Sequence, residues 1–370
     1  DSGITAIFLD PEHGGFIEGP KNLALALAAF ELAWVDGGAA TCSLATNLAL
    51  SPIHERGTQE QRTHYMAGSA PRKPGEDRIP YRGAFALTEP LPYVGVETSM
   101  LSGKIRVAEW KEGGEPVLQV EKRGRFITNI AFANFVTAAV ASDDPRIKGS
   151  CMVILEESDP GLFDRGAHTK KLVHQLSSTG DPVLNLKVPA SRIIGGYTIK
   201  DGVIIPRFAH GDVIEAVFRR TRVPVGLMTS AKLLSAVEPV IRYQRQRFRG
   251  AEGGSPGSPR YELGLQQKED TLHRLLDVWG VGEAGASFGF FASRMLDEFD
   301  PIEREKDRIF AEQGKESARA QMKELARFEP LAIELIALEA KKVRTAEEEK
   351  RWEELLAQPL AQLLQSAIDG

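Results

Sequence analysis

Leu23, Leu27, Phe30 and Trp34 recur every three or four residues, which puts them on one face of a helix. Asn22, just ahead of them, is a fair N-cap, and Gly37-Gly38 is expected to end the segment. A second, Ala- and Leu-rich helix is expected from about Ala39 to Leu50, stopped by Pro52, and a short polar one over Thr58–Met66. The stretch APRKPGEDRIP then reads as a loop. Beyond it the period shortens. Phe85–Thr88, Lys104–Trp110, Val117–Val120, Arg125–Thr128, Phe135–Ala141, Cys151–Glu156 and Pro182–Val188 are short runs rich in β-branched residues, separated by Gly113-Gly114, Asp143-Asp144-Pro145 and Asp159-Pro160-Gly161. With no long helix among them they predict an antiparallel β region. Helical spacing returns in Ile214–Gln246, with a bend expected near Pro239, and in Leu263–Phe299, where Leu272, Leu275, Leu276 and Trp279 share a side. Between these two helices, residues 251–259 read as a flexible loop. The predicted fold class is α+β, with an N-terminal helical domain (1–84), a middle antiparallel β domain (85–206) and a C-terminal helical bundle (207–370). The bundle carries a charged insert at 302–354, read as a solvated helix face.

Composition narrows the class without choosing a function. The 370 residues are 42% hydrophobic and 26% charged, with a net charge of −5. This excludes a disordered chain, a collagen-like fibre and a disulfide-stapled miniprotein. The slight acidity argues against a nucleic-acid partner, which needs a clustered basic face. No stretch approaches the roughly 18 uninterrupted apolar residues of a membrane span. Cys42 and Cys151 form no CxxC pair and read as reduced thiols, so a cytoplasmic location is expected. The opening, DSGITAIFLD, shows no leader pattern, lacks an initiator Met and reads as mid-domain, so the chain is expected to be a fragment.

Two motifs tempt and are set aside. GVGEAG (280–285) fits a dinucleotide fingerprint, and GASFG (285–289) fits a nucleophile elbow. Both chemistries need a strand running into a helix. The residues before them carry helical spacing, so the expected role is a small-residue stripe where two helices approach closely.

The more informative residues are threonines. Phe85-Ala86-Leu87-Thr88-Glu89-Pro90 and, forty residues later, Phe126-Ile127-Thr128-Asn129 each offer a hydroxyl beside apolar side chains on an expected strand. Such a pair suits the edge of a planar heteroaromatic ring whose faces are covered by carbon. Half-buried strand threonines are the plain alternative.

These segments resemble the acyl-CoA dehydrogenase family. ALTEP (86–90) is similar to the family's T-E-P segment, and FITN (126–129) to its I-T-N segment. KVPASRIIG (187–195) is similar to its V-P…G stretch, and Arg245–Phe248 to its R-x-x-F segment. DPEHGG (10–15) and FELAW (30–34) resemble its N-terminal segments, and the six matches fall in the family's order. The resemblance implies bound FAD, with Leu87 and Thr88 at the pyrimidine side of the flavin, Thr128 near N5, and Phe126 over one face. Arg245, at the pyrophosphate, and Phe248 would approach the FAD of a neighbouring subunit, implying a homodimer or homotetramer. Arg222 and, in HQLSST, Ser177 with Ser178 would lie near the acyl-CoA. The implied reaction is α,β-dehydrogenation of an acyl-CoA to the enoyl-CoA, with electrons passed to an electron-transfer flavoprotein. An acyl-CoA oxidase, a flavin monooxygenase or a catalytically silent flavin-binding homologue are the alternatives. Two departures stand out. Leu91-Pro92-Tyr93-Val94-Gly95 replaces the family's small residues after T-E-P, which suggests an altered acyl pocket. No family-type catalytic Glu is found: the position directly before Arg222 is Thr221, and the late loop that usually carries the Glu is expected beyond residue 370.

Overall fold

The computed structural model describes residues 3–93, 100–169, 178–247, 255–315 and 318–369. Four helices come first: α1 (Ile4–Phe8), α2 (Lys21–Val35), α3 (Gly37–Arg56) and α4 (Gln59–Ser69). Nine strands follow: β1 (Gly83–Ala86), β2 (Lys104–Glu109), β3 (Val117–Arg123), β4 (Phe135–Ser142), β5 (Ser150–Glu156), β6 (Gly161–Asp164), β7 (Val183–Pro189), β8 (Tyr197–Lys200) and β9 (Val203–Pro206). The rest is helical: α5 (His210–Gln246), α6 (Pro259–Leu263), α7 (Glu269–Glu312), α8 (Ala318–Glu339), α9 (Ala346–Leu356) and α10 (Pro359–Asp369). The chain divides into two compact units, Asp1–Ser293 and Arg294–Gly370.

Glycine and proline punctuate the first helices differently from expectation. α2 starts at Lys21 behind Pro20, so Asn22 is not its cap but lies buried in its first turn. α2 ends at Val35, and Gly37-Gly38 opens α3, because Asp36 caps that helix by accepting from the Ala39 N–H at 2.8 Å. Pro52 does not stop α3. A helical proline removes one backbone bond, and here the flanking Leu50 and Ile53 are fully buried and hold the helix through it. α4 starts where expected, with Thr58 and Gln61 forming a reciprocal capping box.

The main sheet runs β1-β4-β2-β3-β7-β6, with β5 on the other side of β4. Its long pairings are antiparallel, whereas β1 and the start of β2 both run parallel to β4. The inner strands are buried on both faces, and their side chains alternate accordingly. Val136, Ala138 and Val140 of β4 join Val153 and Leu155 of β5 on one side. Phe135 and Ala139 join Met152 and Ile154 on the other, where Leu50, Ile53, Tyr65 and Met66 of the N-terminal helices and Val213 and Ile214 of α5 cover them.

α7 packs on α5 through the small-residue stripe. A Cβ on Gly282 or Gly289 would lie within 3 Å of Leu234 or Leu227, and one on Gly285 would lie 2.5 Å from the Ser230 Oγ. Gly282, Gly285 and Gly289 are therefore mid-helix packing residues. Gly280 faces open space. Gly289→Val is expected to lower stability by about 1–3 kcal/mol through overpacking, whereas Gly280→Ala should raise it by up to about 1 kcal/mol through helix propensity alone. Thermal unfolding of the two variants checks the contrast. Equal shifts would mean the stripe is not a close approach. On α7 the stripe of Leu272, Leu276 and Trp279 is exposed, not core.

In the second unit, Ile309, Phe310 and Leu360 form one small core, and Leu335, Leu338 and Leu355 another. The charged residues of the 302–354 segment pair across its helices, as in Arg351–Glu334 at 2.8 Å, which fits a solvated face. Among the described residues, no helix is long and apolar enough to cross a membrane.

Candidate flavin and acyl site

β1 and β2 lie along the same strand, β4, but the chain leaves the sheet after Ala86 and rejoins it at Lys104. Leu87, Thr88 and Glu89 sit where it departs. Glu89 staples the neck of this excursion: its carboxylate accepts the Ser102 N–H at 2.7 Å and the Gly103 N–H at 2.8 Å. It also pairs with Lys122 at 2.7 Å, and both side chains are fully buried. Lys122 donates in addition to the carbonyls of Leu87 at 3.2 Å and Ala139 at 2.9 Å, so all three ammonium protons have acceptors. Burial pushes the Glu89 pKa up, but Lys122 and the two N–H groups outweigh it and hold the carboxyl below its ordinary range. On Lys122 burial wins over the pull of Glu89, and the pKa falls.

This pair orients the peptide that follows. In a trans peptide the C=O and the next N–H point opposite ways. With the Leu87 carbonyl held inward by Lys122, the Thr88 N–H points away from it, and no described residue accepts from it.

The second threonine segment is not a strand. Residues 125–130 form a turn with one isolated bridge, Ile127 to Gly180. Phe126 and Asn129 have φ of 57° and 68°, in the left-handed region. An aromatic residue there is uncommon, and such strain concentrates at functional sites. The β-branched run that suggested a strand does not encode these dihedrals. Thr88 also falls just outside β1. The Arg125 N–H donates to the Thr88 carbonyl at 2.9 Å, so the two threonine segments do adjoin. Phe126 is 41% exposed, with the Arg125 guanidinium 4.7 Å from its ring centroid. Beside this turn, Ser178 and Thr179 are buried with hydroxyls that find no partner among the described residues.

Thr128 opens into a cavity of about 390 Å³ bounded by Phe8, Leu25, α3 and α5. Arg222 lies on its wall, exposed, its guanidinium 5.2 Å from the Phe218 ring centroid. Arg220, also on the wall, pairs with Glu55 at 3.4 Å. Burial raises the Glu55 pKa, but the His54 hydrogen bond and the Arg220 and Arg219 charges bring it down to about 2. Among the described residues no carboxylate lines this cavity. A larger hollow of about 590 Å³, walled by Phe30, Trp34, Ile241 and Trp279 among others, touches none of Leu87, Thr88, Phe126, Thr128, Arg222 and Arg245.

The structure therefore brings Leu87, Thr88, Phe126 and Thr128 together, with Arg222 on the adjoining cavity. Arg245 is not among them. It is exposed near the end of α5, where its Nε donates to Gln266 at 3.3 Å. It lies 17 residues beyond the cavity residue Met228, about 25 Å of helix. Ser177, Phe248 and, after T-E-P, Val94 and Gly95 lie outside the described residues. Lys122 escaped the sequence reading although a signal was present: Leu118, Val120 and Lys122 alternate on the buried side of β3.

The family model for the acyl-CoA dehydrogenase N-terminal domain matches residues 1–72. A short-chain-specific acyl-CoA dehydrogenase of Clostridium acetobutylicum is 33% identical over 196 residues. That alignment covers 52% of this chain and 47% of the relative, so the chain spans about half the length of the curated relative it matches. Its N-terminal region is thus similar to the acyl-CoA dehydrogenase N-terminal domain. The acyl-CoA dehydrogenase fold extends over the rest of the chain. Butyryl-CoA dehydrogenase from Megasphaera elsdenii aligns with a TM-score of 0.60 at 17% identity, over 99% of this chain and 87% of that one. A glutaryl-CoA dehydrogenase of Mycobacterium smegmatis, solved with FADH2, aligns at 0.59 and 15% identity over 98% of this chain and 82% of that one.

Proposed function

We propose that the protein is an FAD-dependent acyl-CoA dehydrogenase that converts an acyl-CoA thioester to the enoyl-CoA and hands the electrons to an electron-transfer flavoprotein. The observation that carries this reading is the junction of two segments on one rim. A Thr88 N–H without an acceptor among the described residues, an exposed Phe126 ring and the Thr128 hydroxyl lie together beside a largely apolar cavity. The residues fit a flavin. The Thr88 N–H and Thr128 hydroxyl can meet polar edge atoms of the ring, and Phe126 can cover a face. The orphaned Ser178 and Thr179 hydroxyls are two further groups in need of partners. FAD bound there supplies the two-electron acceptor for the hydride that leaves the substrate β-carbon.

The chain's own residues would do the positioning. Lys122 and Glu89 fix the direction of the Leu87–Thr88 peptide, and Asn129 fixes the turn that presents Thr128. The apolar cavity wall takes the acyl group and excludes water from the carbon that loses its proton. The base that removes this proton is assigned to none of the cavity residues. We also infer a homo-oligomer of at least two copies. The exposed position of Arg245, far along α5, leaves it available to another subunit's cofactor. The outward Leu272–Leu276–Trp279 stripe gives α7 an apolar surface of the kind subunit contacts use.

Titrating the protein with FAD tests the reading. The expected result is saturable binding with a structured flavin spectrum, weakened at least about tenfold by Thr128→Ala with Thr88→Pro, which together delete two hydroxyls and one N–H. Anaerobic mixing with short acyl-CoA thioesters should bleach the flavin and reduce an added dye. Absence of flavin binding at any concentration would sink the proposal, and rapid peroxide release in air would move it to an oxidase.

A further inference from the structure

The cavity beside Thr128 has an amide in a wall that is otherwise mostly carbon. Asn47 of α3 is 7% exposed and lines the cavity. Neither its Oδ1 nor its Nδ2 has a hydrogen-bond partner among the described residues. Its neighbours on the wall include Leu25, Leu44, Ala45 and Leu48. One turn on, Ser51 spends its hydroxyl proton on the Asn47 carbonyl at 2.8 Å, so it offers the Asn47 side chain no donor. A buried carboxamide with both ends unpaired is costly, and leucine would fill the same volume without that cost. A pocket meant only for a saturated hydrocarbon chain gains nothing from it.

We propose that Asn47 is a specificity-determining residue, and that the acyl group accepted here carries a neutral polar substituent, a hydroxyl or a carboxamide, that pairs with the Asn47 side chain. The proposal rests on the acyl-CoA reading above and names the substrate class within it. Neutrality follows from the wall. Asn47 supplies one donor end and one acceptor end but no charge, and of the two guanidiniums on the wall Arg220 is committed to Glu55 while Arg222 is solvent-exposed over the Phe218 ring. The volume, near 390 Å³, is at the small end for ligand pockets, which favours a short acyl group.

The test compares a short straight-chain acyl-CoA with its ω-hydroxy and ω-carboxamide counterparts on the full-length holoenzyme. It measures kcat/KM, and separately the calorimetric Kd of non-reacting thioether analogues. The polar thioesters should be preferred by about 10- to 100-fold, because an unmet buried amide penalises the plain chain. Asn47→Leu should erase or reverse that ratio in both Kd and kcat/KM, and it should raise the Tm of the ligand-free protein by removing the orphan. A preference for the straight chain in the wild type, or a ratio that Asn47→Leu leaves unmoved, overturns the proposal. In that case water serves the amide. If no thioester of either kind binds while FAD does, the acyl-CoA reading itself fails, a distinguishable result.

Discussion

Lys122→Met is expected to destabilise the protein by about 3–5 kcal/mol, because it leaves the Glu89 carboxylate buried without its counter-ion. Both side chains have zero exposure. A surface ion pair at the same 2.7 Å would contribute little. Here solvent cannot replace the lost partner, and the Leu87 and Ala139 carbonyls lose a donor in the same step. The double variant Lys122→Met with Glu89→Gln should recover much of the loss, since neutral groups of similar shape carry no desolvated charge. The carboxamide introduced by Glu89→Gln retains one oxygen, enough for the Ser102 or the Gly103 N–H but not for both, so the recovery stays incomplete. Urea unfolding of wild type, the two single variants and the double variant closes the cycle. Single and double variants that are equally unstable would show that the charge is not the issue. A functional consequence separates from stability. Without Lys122 the Leu87 carbonyl is no longer held, so FAD affinity should stay low even in the restabilised double variant.

Much of the scaffold can be read from periodicity because burial imposes it. The alternation in β4 and β5 exists because helices cover one sheet face and the rest of the β core covers the other. The rows of small residues on α7 exist because α5 comes within contact distance. The punctuation rules did worse. Gly37-Gly38 and Pro52 carry the composition of helix ends, yet one opens a helix and the other sits inside one, because the Asp36 cap and the burial of Leu50 and Ile53 outweigh local propensity. The site was legible in a different way. Nothing in the spacing of Thr88 and Thr128 distinguishes them from ordinary strand threonines, and it took the resemblance of ALTEP and FITN to a family to single them out. That both lie just off the sheet depends on dihedrals and on the Lys122–Glu89 pair, which composition does not encode. Asn47 had even less signal, for on a helix buried over much of its surface one polar residue among Ala and Leu looks like tolerance until the cavity is seen.

Asn129→Leu should cost about 3 kcal/mol and weaken FAD binding more than any other single change in the 126–129 turn. Two losses combine. The backbone at φ 68° strains a side chain that, unlike Asn, cannot satisfy itself locally, at about 1–2 kcal/mol. The Nδ2 donation to the Gly83 carbonyl at 2.9 Å also disappears from a site that is 4% exposed, leaving a buried acceptor short of a partner at about 1–3 kcal/mol. Asn129→Gly separates the two, because glycine accepts the dihedral freely and loses only the side-chain bonds. The Gly variant should therefore sit between wild type and Leu in thermal unfolding. If the two variants are equally destabilised, the left-handed backbone stores no strain. The link to function runs through Gly83, since Asn129 ties the turn carrying Thr128 to the start of β1, three residues before the segment carrying Leu87 and Thr88 leaves the sheet. Loosening that tie lets the two threonines drift apart while the rest of the sheet stays paired. FAD affinity should then fall at temperatures where far-UV circular dichroism still reports a folded protein.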